Sequence, residues 1–84
     1  MVSPDQVEAM IKAQMPEAQV KVMTPDGEHY EVVVVSSEFE GKRLVQQHQL
    51  VYRAIQKEML DGTIHAMAVK TYTPEAWQAA GQTV

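Results

Sequence analysis

The chain has 84 residues, with 11 acidic and 7 basic side chains, and its formal net charge is −4 at pH 7. That charge disfavours a protein whose affinity rests on broad contact with phosphates, because such contact needs a positive surface, although local basic patches stay open. The absence of cysteine excludes disulfides and excludes any zinc–thiolate or iron–sulfur site built by this chain alone.

The length predicts one domain over residues 1–84, since a chain of this size has room for a single core. No apolar stretch approaches the roughly 20 residues of a membrane-spanning helix, and the N-terminal segment lacks the pattern of a secretion signal. We therefore expect a soluble protein, located in the cytoplasm and without membrane contact.

A capped helix is predicted at the beginning of the chain. Ser3 can cap it, Pro4 suits the first helical position, and Gln6 can complete a capping box. Val2 and Val7 could form the accompanying hydrophobic staple. Apolar side chains then recur at helical spacing up to Pro16: Val7, Met10, Ile11 and Met15.

A β-hairpin is predicted next. Residues 18–24 alternate between apolar and polar, and Pro25-Asp26-Gly27 is a turn signal. The following strand, residues 29–36, is apolar on both faces over residues 32–35, which predicts a central strand covered or nearly covered on each side.

The second half of the chain predicts a helical segment, a strand and a short helix. Residues 42–60 keep a 3.6-residue apolar period, as one helix or as two helices with a bend, and Gly62 is the expected cap. The third strand is predicted over residues 63–72, and Thr73 caps the last helix, which Tyr72 and Trp77 staple to the strand. The fold class is α+β with the order αββα(α)βα.

Histidines are the side chains here that bind transition metals well. The long helical crossover predicts that the second and third strands are parallel, so that their beginnings share one edge of the sheet. His29 and His65 lie near those beginnings, and their rings could converge on one metal ion or cluster. The alternative is that each is an exposed polar residue with a backbone hydrogen bond. His48 lies on the apolar helical stripe, and we expect it to be a hydrogen-bonded core residue.

The chain resembles the BolA family in the stretch DGEHYEVVVV, in the helix that carries LVY and, most specifically, in HAMAVKTYTPEAW. With the first helix and strand, the resemblance covers nearly the whole chain. It implies a class II KH-like fold, in which a mixed three-stranded sheet has helices packed on one face.

The resemblance also implies a function. Members of the family pair with monothiol glutaredoxins, and the heterodimer holds a [2Fe–2S] cluster for which glutaredoxin and glutathione supply thiolates. The family's histidine ligand before the last strand corresponds to His65. Its second ligand, a histidine or a cysteine in different branches, comes from the loop between the first two strands and corresponds to His29. The isolated protein is then expected to carry no cofactor. Histidine ligation should raise the cluster's potential and make it sensitive to pH, because protonated imidazole does not bind metal.

Other functions are less well supported by the sequence. Some BolA proteins resemble transcription regulators, so DNA binding is the alternative function, with Arg43, Arg53, Lys57 and Lys70 as candidate contacts. The helix-flanking loop has no GxxG to clamp a nucleic-acid backbone, and these residues are also read as solvated charges. A catalytic pair of His29 with Glu28 or Glu31 has no supporting motif, so we expect no enzyme. Homodimerisation of the free protein stays open.

Overall fold

The computed structural model describes residues 3–27, 29–62, 64 and 66–81. In chain order, the elements are α1 (Pro4–Gln14), β1 (Gln19–Met23), β2 (His29–Val35), a 3₁₀ turn (Ser37–Phe39), α2 (Leu44–Ala54), α3 (Gln56–Leu60), β3 (Ala66–Tyr72) and α4 (Pro74–Ala79). The predicted fold class and the αββα(α)βα order are therefore confirmed.

The capping box predicted for α1 is present. The Ser3 hydroxyl accepts a hydrogen bond from the Gln6 amide at 3.1 Å, and the Ser3 amide donates to Gln6 Oε1 at 2.8 Å. These contacts satisfy amide groups that a helix N-terminus otherwise leaves without partners. Val7 is buried, whereas Val2, its predicted staple partner, lies outside the described residues.

Within the described residues, the sheet has three strands in the order β1-β2-β3. β1 and β2 are antiparallel, with Val20 opposite Val34, and form the predicted hairpin. β2 and β3 are parallel, with His29 opposite Ala66, as the helical crossover between them requires. The mixed sheet is therefore confirmed, and its two parallel strands begin side by side.

The core lies on one face of this sheet. Alternate residues of β2 point into it, and the buried cluster joins α1, the sheet and α2 through Val7, Ile11, Met15, Ala18, Val20, Tyr30, Val32, Val34, Phe39, Val51, Ile55, Ile64 and Met67. The opposite face, here called the open face, carries exposed Glu31 and half-buried Val33. β2 is the central strand, as predicted. The expectation that it is covered or nearly covered on both faces is wrong, because α1 and α2 pack on the same side. Val35 is the one β2 residue of the open face that is buried. It lines a small cavity together with Pro74 and Trp77 of α4.

The long helical segment is two helices. Ile55, between α2 and α3, has φ −122° and ψ 19°, which is outside the helical range. Its side chain is nevertheless fully buried, so the apolar periodicity continues across the break. Gly62 follows α3 with φ 80°, in the left-handed region that the prediction assigned to it.

The final strand and helix match their prediction except at the beginning of the strand. β3 begins at Ala66, and the described residue before it, Ile64, is buried outside the strand; Thr63 and His65 lie outside the described residues. Thr73 caps α4 by accepting from the Ala76 amide at 3.1 Å. The rings of Tyr72 and Trp77 meet edge to face with centroids 4.8 Å apart, which confirms the staple.

Across the part of the chain that the structure describes, none of the helices combines the length and the apolar character needed to cross a bilayer. The cytoplasmic location stays a prediction, as does the extent of the domain over residues 1–84.

Candidate metal-ligand site

The candidate site lies where β2 and β3 begin. His29 is the first residue of β2, and its Cα partner in the parallel ladder is Ala66, the first residue of β3. Neighbouring strands are about 4.8 Å apart, so these two backbone positions are immediate neighbours. His65, the second predicted ligand, lies outside the described residues, but it is the residue that directly precedes Ala66 in the sequence.

The His29 side chain is exposed and is held by Asp26. Its imidazole Nδ1 lies 2.6 Å from Asp26 Oδ2, and its backbone amide donates to Asp26 Oδ1 at 2.8 Å. The two side chains are 62% and 48% exposed, so the ring is accessible to another molecule. A metal-bound histidine commonly donates its second ring N–H to a carboxylate, and Asp26 occupies that position beside His29.

The turn that carries Asp26 is itself organised by hydrogen bonds. The Gly27 amide donates to the Thr24 hydroxyl at 2.9 Å, and Gly27 has φ 78°, a conformation that favours glycine. The predicted Pro25-Asp26-Gly27 turn is thereby confirmed. It places the Asp26 carboxylate three residues before His29, where both oxygens contact the histidine.

An open depression of about 310 Å³ adjoins His29 and is also lined by Tyr30, Glu31, Ala66, Met67 and Ala68. By strand alternation, Ala66 and Ala68 share the open face with His29 and Glu31. Alanine leaves little bulk in front of the sheet, so another molecule can approach the ring of His29 closely.

The donor set decides which metal group fits. Among the described residues, which leave out Glu28 and His65, no group of three or more histidine or acidic side chains is gathered as a metal site. Imidazole replaces thiolate at one iron of Rieske-type [2Fe–2S] clusters, so histidine is a chemically suitable ligand for such a cluster. A cluster at His29 would need thiolates from other molecules, since the chain has no cysteine.

The catalytic alternative pairs His29 with Glu28 or Glu31. The His29 imidazole contacts Asp26, and Glu31 lies two residues further along β2 with its side chain exposed. Glu28 lies outside the described residues. That this protein is not an enzyme stays a prediction.

His48 is not the core residue that its helical position predicts. It is half-buried on α2, in the wall of an open groove that Val45, Tyr52 and Arg53 also line. No hydrogen bond joins its ring to another described residue. The prediction is wrong because the 3.6-residue period places His48 at the margin of the apolar stripe, where the packing on the sheet ends.

The four candidate nucleic-acid contacts do not form one patch. Arg53 and Lys57 line a second open groove, along α2 and α3, together with the acidic Glu58 and Asp61. Arg43 precedes α2 at its other end, about 15 Å along the helix from Arg53. Lys70 lies on the open face beside Val33. All four side chains are exposed, which agrees with the alternative interpretation that they are ordinary solvated charges.

Asp26 is the residue of the site that sequence reasoning missed. The prediction used it only as a turn residue. The available signal was its spacing, because an aspartate three residues before a strand histidine can accept from both the backbone amide and the ring.

Comparisons with known proteins agree with the resemblance seen in the sequence. A family model described as BolA-like protein matches residues 2–76. The protein BOLA2 of Arabidopsis thaliana is 37% identical over 86 residues, which cover 98% of this chain and 90% of the plant protein. The crystal structure of a Bol-like protein from Babesia bovis superposes with a TM-score of 0.78 at 33% identity, covering 98% of this chain and 96% of that one.

A bacterial relative has a name that states an activity. The DNA-binding transcriptional regulator BolA of Haemophilus influenzae is 43% identical over 56 residues, which cover 67% of this chain. The match spans about half of the regulator, 53% of its length.

Proposed function

Because this chain belongs to the BolA-like protein family, we propose that it is an adaptor that binds a monothiol glutaredoxin and co-ligates a [2Fe–2S] cluster through His29 and His65. Glutaredoxin and glutathione supply the thiolates. The role is in iron–sulfur trafficking or in sensing iron or redox state. The glutaredoxin partnership follows from the family resemblance.

One observation carries the proposal: an exposed, carboxylate-held imidazole at residue 29 lies opposite the strand position that directly follows His65 in the sequence. In a chain without cysteine, imidazole is the side chain best suited to bind iron, and thiolates from other molecules complete the donor set. The cluster, when bound, supplies one-electron redox chemistry. The chain's own contribution is to orient His29 through Asp26 and to leave room for the partner in front of two alanines.

Co-purification with a monothiol glutaredoxin tests the proposal. We expect a heterodimer that retains iron and glutathione when the two proteins are reconstituted with iron and sulfide. Ala68→Arg places a long cation in the lining of the depression, at an exposed position of the open face, and we expect it to weaken the heterodimer at least tenfold. Dissociation constants from titration calorimetry measure the change.

A matched variant separates this effect from a general effect of charge. Ala13→Arg adds the same side chain at an exposed position of α1, outside the depression, and it should leave the affinity unchanged. If no heterodimer forms after reconstitution with iron and sulfide, the proposed function is contradicted. Equal affinities of Ala68→Arg and the unmodified chain would remove the depression from the interface.

DNA binding is a second candidate function, favoured by the name of the Haemophilus influenzae relative. The groove with Arg53 and Lys57 is the part of the surface that brings two of the candidate cations together. The nearby Glu58 and Asp61 oppose phosphate binding there, and the net charge of −4 opposes it over the whole molecule. The adaptor function is therefore preferred.

Duplex binding at several salt concentrations tests the second candidate. Binding through the groove requires that Arg53→Ala and Lys57→Ala each reduce the salt slope by about 1. Lys70→Ala removes the same charge from the open face and should then have no effect. Loss of affinity in Lys70→Ala would place DNA on the open face, and a flat salt dependence would remove DNA binding altogether.

A further inference from the structure

We propose that Asp26 is a positioning residue, whose carboxylate keeps the His29 ring proton on Nδ1 so that Nε2 is the nitrogen presented to iron. The inference rests on the proposed function for its iron, but the orientation of the ring is a property of the isolated chain. Asp26 touches His29 and acts through it.

The distance between the ring and the carboxylate selects the tautomer. Nδ1 of His29 and Oδ2 of Asp26 are 2.6 Å apart, which is slightly shorter than the range of about 2.7–2.9 Å that is usual for a charge-assisted N–H···O contact. Without a proton on Nδ1, the nitrogen lone pair and the carboxylate oxygen would repel each other at that distance. The neutral ring therefore carries its proton on Nδ1, and its acceptor lone pair is on Nε2.

Exposed ion pairs usually contribute little, because two long side chains must be ordered for one contact. Here the ordering is local. The His29 amide donates to Asp26 Oδ1 at 2.8 Å and thereby fixes the carboxylate, while its other oxygen meets the ring. The Gly27 amide holds the preceding turn through its 2.9 Å hydrogen bond to Thr24. The ring is thus oriented by the turn before any partner binds.

This arrangement corresponds to the outer-shell carboxylates that fix the tautomer of metal-bound histidines and raise their basicity. Loss of such a carboxylate typically reduces metal affinity by about 10 to 100-fold. We expect the same range for cluster retention after Asp26→Asn. The asparagine keeps the size of the side chain, and its amide can donate to Nδ1, which moves the ring proton to Nε2 and blocks that nitrogen.

Two-bond ¹H–¹⁵N spectra of the isolated full chain test the inference, recorded at alkaline pH, where imidazole is neutral. We expect His29 to be mainly in the Nδ1–H tautomer in the unmodified chain and mainly in the Nε2–H tautomer in Asp26→Asn. Asp5→Asn is the matched control, with the same chemical change at an exposed position in the first turn of α1, and it should leave the ratio unchanged. An Nε2–H majority in the unmodified chain would overturn the proposal without any variant, as would a ratio unaffected by Asp26→Asn.

The glutaredoxin heterodimer separates this inference from the proposed function. Cluster loss 10 to 100-fold faster in Asp26→Asn, with the tautomer shift, is the expected result. If the tautomer shifts but His29→Ala leaves the spectrum of the cluster unchanged, His29 is not a ligand and the proposed function fails at that residue. If His29→Ala alters the cluster and Asp26→Asn alters neither tautomer nor retention, the function stands and the positioning role is overturned.

Discussion

Replacing His65 or His29 with Ala is expected to change the visible absorption and circular dichroism of the [2Fe–2S] complex with glutaredoxin, and to shorten the time for which the complex retains iron. Each substitution removes one of the two proposed imidazole ligands, and the chain has no cysteine that could replace it. The measurement is a spectrum of each reconstituted heterodimer at matched protein and iron concentrations, followed by the rate of cluster loss to a chelator.

Cysteine variants make the same prediction more specific. His65→Cys and His29→Cys return a thiolate to the position and should keep a cluster bound. Because histidine ligation raises the potential of a [2Fe–2S] cluster, each cysteine variant should lower the reduction potential by on the order of 100 mV or more. Protein-film voltammetry measures this shift.

His48→Ala is the matched histidine control. His48 is half-buried on α2 and lines a groove that does not include the residues around His29. Its loss should leave the spectrum and the potential of the cluster unchanged. A spectrum of His65→Ala identical to that of the unmodified complex would remove His65 from the site, and the same outcome for His29→Ala would remove His29.

The second large effect is on stability. Phe39 is fully buried at the end of the 3₁₀ turn, and Phe39→Ala should lower the free energy of unfolding by about 3 to 5 kcal/mol. The phenylalanine ring belongs to the core that joins α1, the sheet and α2, and its removal leaves a cavity. A domain of this size has a total stability of roughly 4 to 12 kcal/mol, so the loss should be about a quarter or more of the total.

Urea denaturation followed by circular dichroism measures the loss. The matched control is Leu60→Ala in α3, which also truncates a large apolar side chain, but at a residue that is 80% exposed. This substitution should change the free energy of unfolding by less than about 0.5 kcal/mol. A loss below about 1 kcal/mol in Phe39→Ala, with an unchanged denaturant slope, would contradict the packing assigned to Phe39.

Features of the fold that depend on local chemistry were predictable from the sequence. The capping residues Ser3 and Thr73 and the Pro25-Asp26-Gly27 turn have side chains and backbones suited to a single role, and each has it in the structure. The parallel pairing of β2 with β3 followed from the length of the crossover between them.

Features that depend on how the elements pack were not predictable. The helix is broken at Ile55, but the Ile55 side chain remains buried, so the apolar period continues across the break. Periodicity therefore does not distinguish one helix from two. Val33 is as apolar as its neighbours, yet it faces the open side because both long helices pack on the other side of the sheet. His48 has the spacing of a core residue but lies at the margin of the helix–sheet contact.

The candidate site was predictable in part. The sequence places His29 at the beginning of a strand, and the parallel register confirms that β2 and β3 begin together at His29 and Ala66. The role of Asp26 needs the coordinates, since turn residues are common and the sequence does not state where their side chains point. The positions of the four candidate cations also could not be predicted from the number of charges. They depend on the rotation of the helices and on which face of the sheet a strand residue lies: Arg43, Arg53, Lys57 and Lys70.

Nitrogen hyperfine coupling at the reduced cluster is the most direct test of the central claim, that histidines of this chain bind iron held jointly with foreign thiolates. The chain is labelled with ¹⁵N-histidine, the glutaredoxin is left unlabelled, and the heterodimer is examined by pulsed EPR. We predict strong ¹⁵N couplings from the labelled chain, diminished in His29→Ala and in His65→Ala and preserved in His48→Ala. A reduced cluster that shows no coupling to the labelled histidines would contradict the account.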